Sequence, residues 1–242
     1  MSQAREKTAD LLEDLESSVK PKVRAAVDVL IALAADSSDL RNTLTQLLTD
    51  PQRKNRWAVA YVLAQLRQPS REVTRILLDG LGHREPDIRW AIALLLIRWA
   101  KTDGQLVNRL VQLCAAGTSA QKRMAIYCLR DLNLTDPLTL QALLHSLQDS
   151  DPTIRVAAAT SLKGRADIEI SGRQALLDLF LNDSETRVRN AAAIALAQLG
   201  SPSEEFLLAL KSANEGENAQ LKKAAATALA ILQNKRSAPS GS

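Results

Sequence analysis

One spacing constrains this chain more than anything in its composition. A basic residue leading into an Ala-rich apolar run occurs at Arg24, Arg56, Arg89, Lys122, Arg155, Arg189 and Lys222. The intervals between them are 32, 33, 33, 33, 34 and 33 residues. Seven occurrences in so even a register describe a repeated supersecondary unit, which hides its apolar faces by stacking on copies of itself.

The pattern inside the unit is helical. The third residue after each basic position is Val27, Val59, Ile92, Ala125, Ala158, Ala192 or Ala225, and the seventh is Ile31 or, six times, a leucine. Offsets of three and seven share one helix face, so these residues form the buried stripe of an inner helix, B. The second residue is small in six of seven repeats, which lets neighbouring helices approach. A second apolar pattern precedes each B helix, as in Leu40, Leu44, Leu47 and Leu48, or Val73, Ile76, Leu77 and Leu81. It marks an outer helix, A. Separators fall between repeats at Gln68-Pro69-Ser70, Thr102-Asp103-Gly104, Thr135-Asp136-Pro137 and Gly200-Ser201-Pro202-Ser203, with residue types that cap and open helices. The longest connection, Gly164 to Gly172, suggests a slight break in the stack.

The stretch Asp149-Ser150-Asp151-Pro152-Thr153-Ile154-Arg155-Val156-Ala157-Ala158-Ala159 resembles a HEAT repeat, closest to the short repeats named after the phycobilisome lyases. Asp183 to Leu199 is similar. The resemblance covers nearly the whole chain. It implies an all-α fold, a right-handed α-solenoid of about seven two-helix HEAT-like repeats over residues 1–235, with B helices lining a concave wall. It also implies a ladder between adjacent repeats, made by the Asp before helix B and the Arg at its start. Asp50 with Arg56, Asp149 with Arg155 and Asp183 with Arg189 match that pattern. His83 replaces the Asp in the third repeat, and the first, fourth and seventh lack it, so the ladder is expected to be weak or broken there. Residues 236–242 read as a disordered tail.

Composition narrows the function classes. Aromatics are only 3% of the chain, so the core is aliphatic. The formal net charge of +4 is unevenly spread: residues 51–130 hold fourteen basic against five acidic residues, and the remainder is net acidic. A basic middle attracts an anionic partner or is simply a solvated repeat surface. Cys114 and Cys128 have no metal-ligand spacing and read as buried reduced thiols of a cytoplasmic chain. No secretion signal and no membrane span is discernible. No Ser–His–Asp or Cys–His arrangement and no Gly-rich phosphate loop occurs, so no catalytic residue, cofactor or metal is assigned. His83 and His145 stand far apart in repeat terms. The N-terminal helix has a polar outer face through Glu6, Lys7, Asp10, Glu13 and Asp14. The last helix has a less obvious one, leaving room for self-association there.

Function on such a solenoid belongs at positions that packing does not dictate. The first and fifth residues after the basic position point away from the buried stripe. Four of the chain's seven aromatics fall there: Trp57, Tyr61, Trp90 and Tyr127, all in repeats two to four. With Leu94, Arg98, Arg123 and Arg130 they form the candidate partner-binding set. Aromatics four apart on a helix are also ordinary packing pairs, and Trp99 reads as a core substitute for leucine. Three readings follow. The first is a non-catalytic interaction scaffold for a protein or peptide of acidic character. The second is nucleic-acid binding through the basic face; some bacterial DNA glycosylases are built of similar repeats, but their catalytic Asp has no counterpart here. The third is a tetrapyrrole-handling role like that of the bilin lyases.

Overall fold

The computed structural model describes residues 2–66, 70–165 and 167–237. Arg67, the Gln68 and Pro69 of one separator, and residues 238–242 of the expected tail lie outside these. Residues 236 and 237 belong to the last helix.

Fourteen α-helices occur among the described residues, and they pair as seven A–B hairpins. The A helices are α1 (Ser2–Asp14), α3 (Ser38–Leu47), α5 (Arg71–Gly80), α7 (Gly104–Ala116), α9 (Pro137–His145), α11 (Ile170–Asn182) and α13 (Glu204–Glu215). The B helices are α2 (Lys20–Ala35), α4 (Arg56–Gln65), α6 (Pro86–Ala100), α8 (Ser119–Leu132), α10 (Pro152–Ser161), α12 (Thr186–Gln198) and α14 (Ala219–Ser237). The fold class is that of an α-solenoid of HEAT-like repeats, as the 33-residue register requires.

Local chemistry sets the helix starts. Ser37, Ser70, Asp103, Asp136, Asp151 and Ser203 each accept a backbone N–H from the first turn of the helix they precede. Thr118 and Gln121 make a reciprocal capping box at α8. Each cap satisfies a donor that the helix leaves unpaired, worth about 1 kcal/mol. Pro137 and Pro152 open α9 and α10, where a missing N–H costs nothing.

The chain divides into two compact units, Met1–Trp99 and Ala100–Ser242. The first holds repeats one to three, the second repeats four to seven. In the first, α2 packs on α4, α1 on α2, α3 on α4, and α4 on α5. In the second, the B helices stack in the series α8, α10, α12, α14, while α7 packs on α9. All seven residues of the third-offset stripe, from Val27 to Ala225, are buried. Aromatic rings enter the described core at Phe180 and Phe206, edge to face with centroids 6.2 Å apart. Gly80 permits one close approach: a Cβ there would stand 2.6 Å from the Ile92 side chain and 3.9 Å from Trp57 Cβ.

The ladder differs from expectation in an instructive way. In the second unit the basic residue of one repeat reaches the Asp of the next: Lys122 Nζ lies 2.7 Å from Asp149 Oδ2, and Arg155 makes a two-pronged pair with Asp183. The fourth repeat, expected to break the ladder because it lacks its own Asp, therefore supplies a rung. Within its own repeat the basic residue donates to carbonyls of the turn that joins helix A to helix B. Arg155 Nη1 donates to Asp149 and Ser150, Arg189 Nε to Asp183, and Arg89 Nη1 to His83 and Arg84. Arg56 bonds the Leu48 carbonyl and Glu72, not the Asp50 carboxylate, which accepts the Gln52 N–H instead.

The suggested break at Gly164–Gly172 is also corrected. Helices α10 and α12 pack together across it. Gly164 takes a left-handed φ of 69°, and Arg165, 7% exposed, binds both Asp167 oxygens and the Leu134 carbonyl. Ile168 is buried beside it. The last helix is more polar outside than expected, exposing Lys222, Lys223, Thr227, Gln233 and Asn234 along with Ala226 and Ala230.

Candidate functional site

In every repeat, none of the residues at the first and fifth offsets is buried. These positions are the part of each B helix that the stack leaves uncovered, which is why they tolerate Ala25 in one repeat and Trp90 in another. What stands there is therefore free to serve a purpose other than packing.

The two units fill these positions differently. In the first unit, Trp90 is 40% exposed and Leu94 59% exposed, one turn apart on α6. On α2, Val29 is 38% and Leu33 42% exposed, again one turn apart. Between them, on α4, Trp57 and Tyr61 are half-buried. Trp57 is partly structural. Its Nε1 donates to Asn55 Oδ1 at 3.3 Å, and its ring meets His83 edge-on with centroids 5.9 Å apart. Asn55 in turn donates to the carbonyls of Leu15 and Ser17, tying the start of α4 to the first repeat. Arg98, a turn beyond Leu94, donates to Gln65 Oε1 at 3.0 Å and so joins the ends of α6 and α4.

At the opposite end of these helices, Lys20 at the start of α2 forms an ion pair with Glu85 and lies 3.5 Å from Asp87 at the start of α6. The Lys20 ammonium holds the Glu85 carboxyl below the usual range, and Glu85 raises Lys20. First and third repeats are thus linked past the N-terminus of α4. His83, whose Nδ1 accepts the Glu85 N–H, is pushed below the ordinary histidine value chiefly by burial.

In the second unit, Arg123, Tyr127 and Arg130 of α8 are all half-buried. The Arg130 guanidinium stacks 4.9 Å above the Tyr127 ring and donates to Asp131 at 2.7 Å. The eight expected residues are thus brought together as two sets: Trp57, Tyr61, Trp90, Leu94 and Arg98 in one unit, and Arg123, Tyr127 and Arg130 in the other. Sequence reasoning left out Val29 and Leu33. The signal was available, since Val29 occupies the fifth offset and Leu33 the ninth, the level of Arg98. Their aliphatic character made them look like core.

Many basic residues of the central segment are already engaged. Arg53 pairs with Glu16, Arg56 with Glu72, Arg75 with Glu72 and Asp79, and Lys122 with Asp149. Among the described residues no group of three or more His, Cys, Asp or Glu side chains could hold a metal ion. No described helix is long and apolar enough to cross a membrane. Cys114 and Cys128 are free and buried, and burial pushes both thiols up to about 12.

The family model for HEAT repeats matches residues 8–97 and 74–163, well over half of the sequence. The chain belongs to the HEAT-repeat family. Among solved structures, this HEAT-repeat chain is similar to human deoxyhypusine hydroxylase in complex with glycerol, at 16% identity and a TM-score of 0.44, covering 95% of this chain and 96% of that one. It is similar to a computationally designed armadillo repeat protein for modular peptide recognition, at 16% identity and a TM-score of 0.42, covering 92% and 98%. No curated protein sequence matches it significantly.

Proposed function

We propose that this HEAT-repeat protein is a non-catalytic scaffold that binds a partner protein or peptide on its B-helix surface. One observation carries the reading: on α2 and α6 large apolar side chains stand 38–59% exposed at the offsets that stacking leaves uncovered. Apolar groups gathered on one face, where the repeat would accept small or polar residues, favour a partner. Trp57, Tyr61, Trp90, Leu94 and Arg98 are the proposed contacts of the first unit, extended by Val29 and Leu33. Arg123, Tyr127 and Arg130 are those of the second. Arg98 gives the partner its acidic character.

The alternatives draw less support. Nucleic-acid binding needs basic side chains available to phosphates, and Arg53, Arg56, Arg75 and Arg89 of the central segment are spent on carboxylates or on carbonyls of the A–B turns. A tetrapyrrole presents a pair of propionates, whereas the apolar face of the first unit carries one guanidinium, Arg98.

The test is affinity capture from native cells with the unaltered chain and Leu94→Glu, after circular dichroism shows equal helicity. Proteins retained by the first and lost from the second support the proposal. Identical sets would sink it.

A further inference from the structure

This inference rests on the scaffold reading and narrows its partner. We infer that the surface of the first unit takes an amphipathic α-helix, apolar along one side and bearing an acidic residue opposite Arg98.

The uncovered levels of this surface on α2, α4 and α6 are the first, fifth and ninth offsets, nine positions in all. Val29, Leu33, Tyr61, Trp90 and Leu94 dominate them, and none of the nine is a carboxylate. Apart from the single donor groups on the Trp and Tyr rings, polar side chains occupy two, Gln65 and Arg98, and these already bond each other.

An extended peptide laid on such a surface brings an unpaired N–H and C=O at nearly every residue. Burying those groups without partners is unfavourable, and the surface has no row of amides or hydroxyls to meet them. A helix has already paired its backbone internally and presents only side chains. Helix-in-groove recognition, with anchors at offsets of three, four and seven, is the mode that this chemistry admits. Three B helices at a usual spacing of 8–10 Å span roughly 20 Å, which a helix of about 14 residues crosses.

Charge positions the acidic residue. Arg98 makes no ion pair among the described residues; its bond is to a neutral amide oxygen. The nearby acids Glu85 and Asp87 are engaged by Lys20 at the other end of α6. A carboxylate on the incoming helix would therefore find its complement in Arg98, at the C-terminal end of α6, while Lys20 at the N-terminal end already has its acids. That places the acidic residue of the helix over the C-terminal end of α6.

The experiment selects binders to the full-length protein from two display libraries. One presents a single helix of about 16 randomised residues on a stable helical-hairpin carrier; the other presents unstructured segments of equal length. Each clone is measured against the unaltered chain and against Leu94→Glu, Leu33→Glu and Arg98→Glu, all checked for unchanged melting. The inference expects clones from the helical library that weaken roughly tenfold or more on Leu94→Glu or Leu33→Glu. It expects those clones to be enriched in Asp or Glu, with Lys at that position restoring binding to Arg98→Glu. Surface-dependent binders from the unstructured library alone would overturn the helix and leave the scaffold reading intact. Helical binders indifferent to Arg98 would overturn the acidic contact. If neither library yields a binder that Leu94→Glu or Leu33→Glu weakens, both the inference and the reading beneath it fail.

Discussion

Arg155 and Asp183 form a two-pronged ion pair across the seam between the fifth and sixth repeats, Nε to Oδ2 at 2.7 Å and Nη2 to Oδ1 at 2.9 Å. The same guanidinium donates to the carbonyls of Asp149 and Ser150, in the turn between the two helices of its own repeat. Asp183 also accepts the Glu185 N–H, and its carbonyl takes the Arg189 Nε–H. In this repeat one basic residue therefore ties down its own hairpin and clips it to the next. Lys122 makes the same kind of rung to Asp149, and Arg56 reaches forward to Glu72 instead.

Replacing Asp183 by Asn removes the charge and keeps the shape. Its side chain is 4% exposed and that of Arg155 13%, so the loss leaves a guanidinium poorly compensated in a low-dielectric seam. Breaking such a pair costs about 3 kcal/mol, read from urea unfolding at pH 7. Burial, the largest single influence, would raise the Asp183 pKa, but the Arg155 hydrogen bonds, the Glu185 N–H and the charges of Arg155 and Arg189 together hold it below the ordinary carboxylate value. A depressed folded pKa contributes stability that is complete above the unfolded value, near pH 4, and is lost as pH falls through the folded one. The unaltered protein should lose stability below about pH 4, and Asp183→Asn should lose less over the same interval. Parallel acid profiles would refute this.

The architecture was legible because helical periodicity and the 33-residue register point the same way. Val27, Val59 and Ile92 are buried for the reason that Ala125, Ala158 and Ala192 are. The surface was legible in part. Trp57, Trp90 and Tyr61 announce themselves by being rare, whereas Val29 and Leu33 look like every other aliphatic residue until their exposure is known. The partners of Arg56 and Lys122 were not legible. A rung spans two repeats, and Glu72 can take the place of a missing Asp only because α5 begins where the Arg56 side chain ends. The buried anchor at Arg165 was hidden for a related reason, since its carbonyl partner, Leu134, lies a full repeat earlier.

Arg165 yields a second prediction. It is buried in a connection with little regular structure, and its bonds to Asp167 and Leu134 hold that connection down. Arg165→Ala strands a half-buried carboxylate and a backbone carbonyl, at a cost of about 2–4 kcal/mol. The loss should be local first. Limited proteolysis of the variant is expected to cut between residues 164 and 172 under conditions that leave the unaltered chain intact. A variant as resistant as its parent would show that α10–α12 packing alone fixes the segment.

The cysteines supply a third. Cys114 and Cys128 are buried on α7 and α8, and burial holds both thiols up to about 12, so hardly any reactive thiolate exists at neutral pH. Maleimide or a disulfide reagent at pH 8 should label the folded protein at less than about 1% of the rate in urea. Labelling should then track global unfolding, rising in destabilised variants such as Asp183→Asn. Rapid reaction of either thiol in the native protein would mean that the α7–α8 hairpin opens by itself.

The sharpest contrast lies within one helix. Leu94 and Leu96 are two residues apart on α6; the first is 59% exposed and the second fully buried. Leu96→Ala removes methyl groups from a packed seam and should cost about 3 kcal/mol of stability through lost burial and the cavity left behind. Leu94→Glu removes nothing from the core, and its effect on stability should stay within about 0.5 kcal/mol. Binding should respond in the opposite sense. A partner seated on Trp90 and Leu94 meets a buried, unpaired carboxylate in Leu94→Glu and is lost, whereas Leu96→Ala binds it normally at temperatures where that variant remains folded. Melting curves and partner titrations on the two variants therefore separate the residues that build the repeat from those that use it. A Leu94→Glu protein that melts early would place this side chain in the core after all, and with it the rest of the proposed surface.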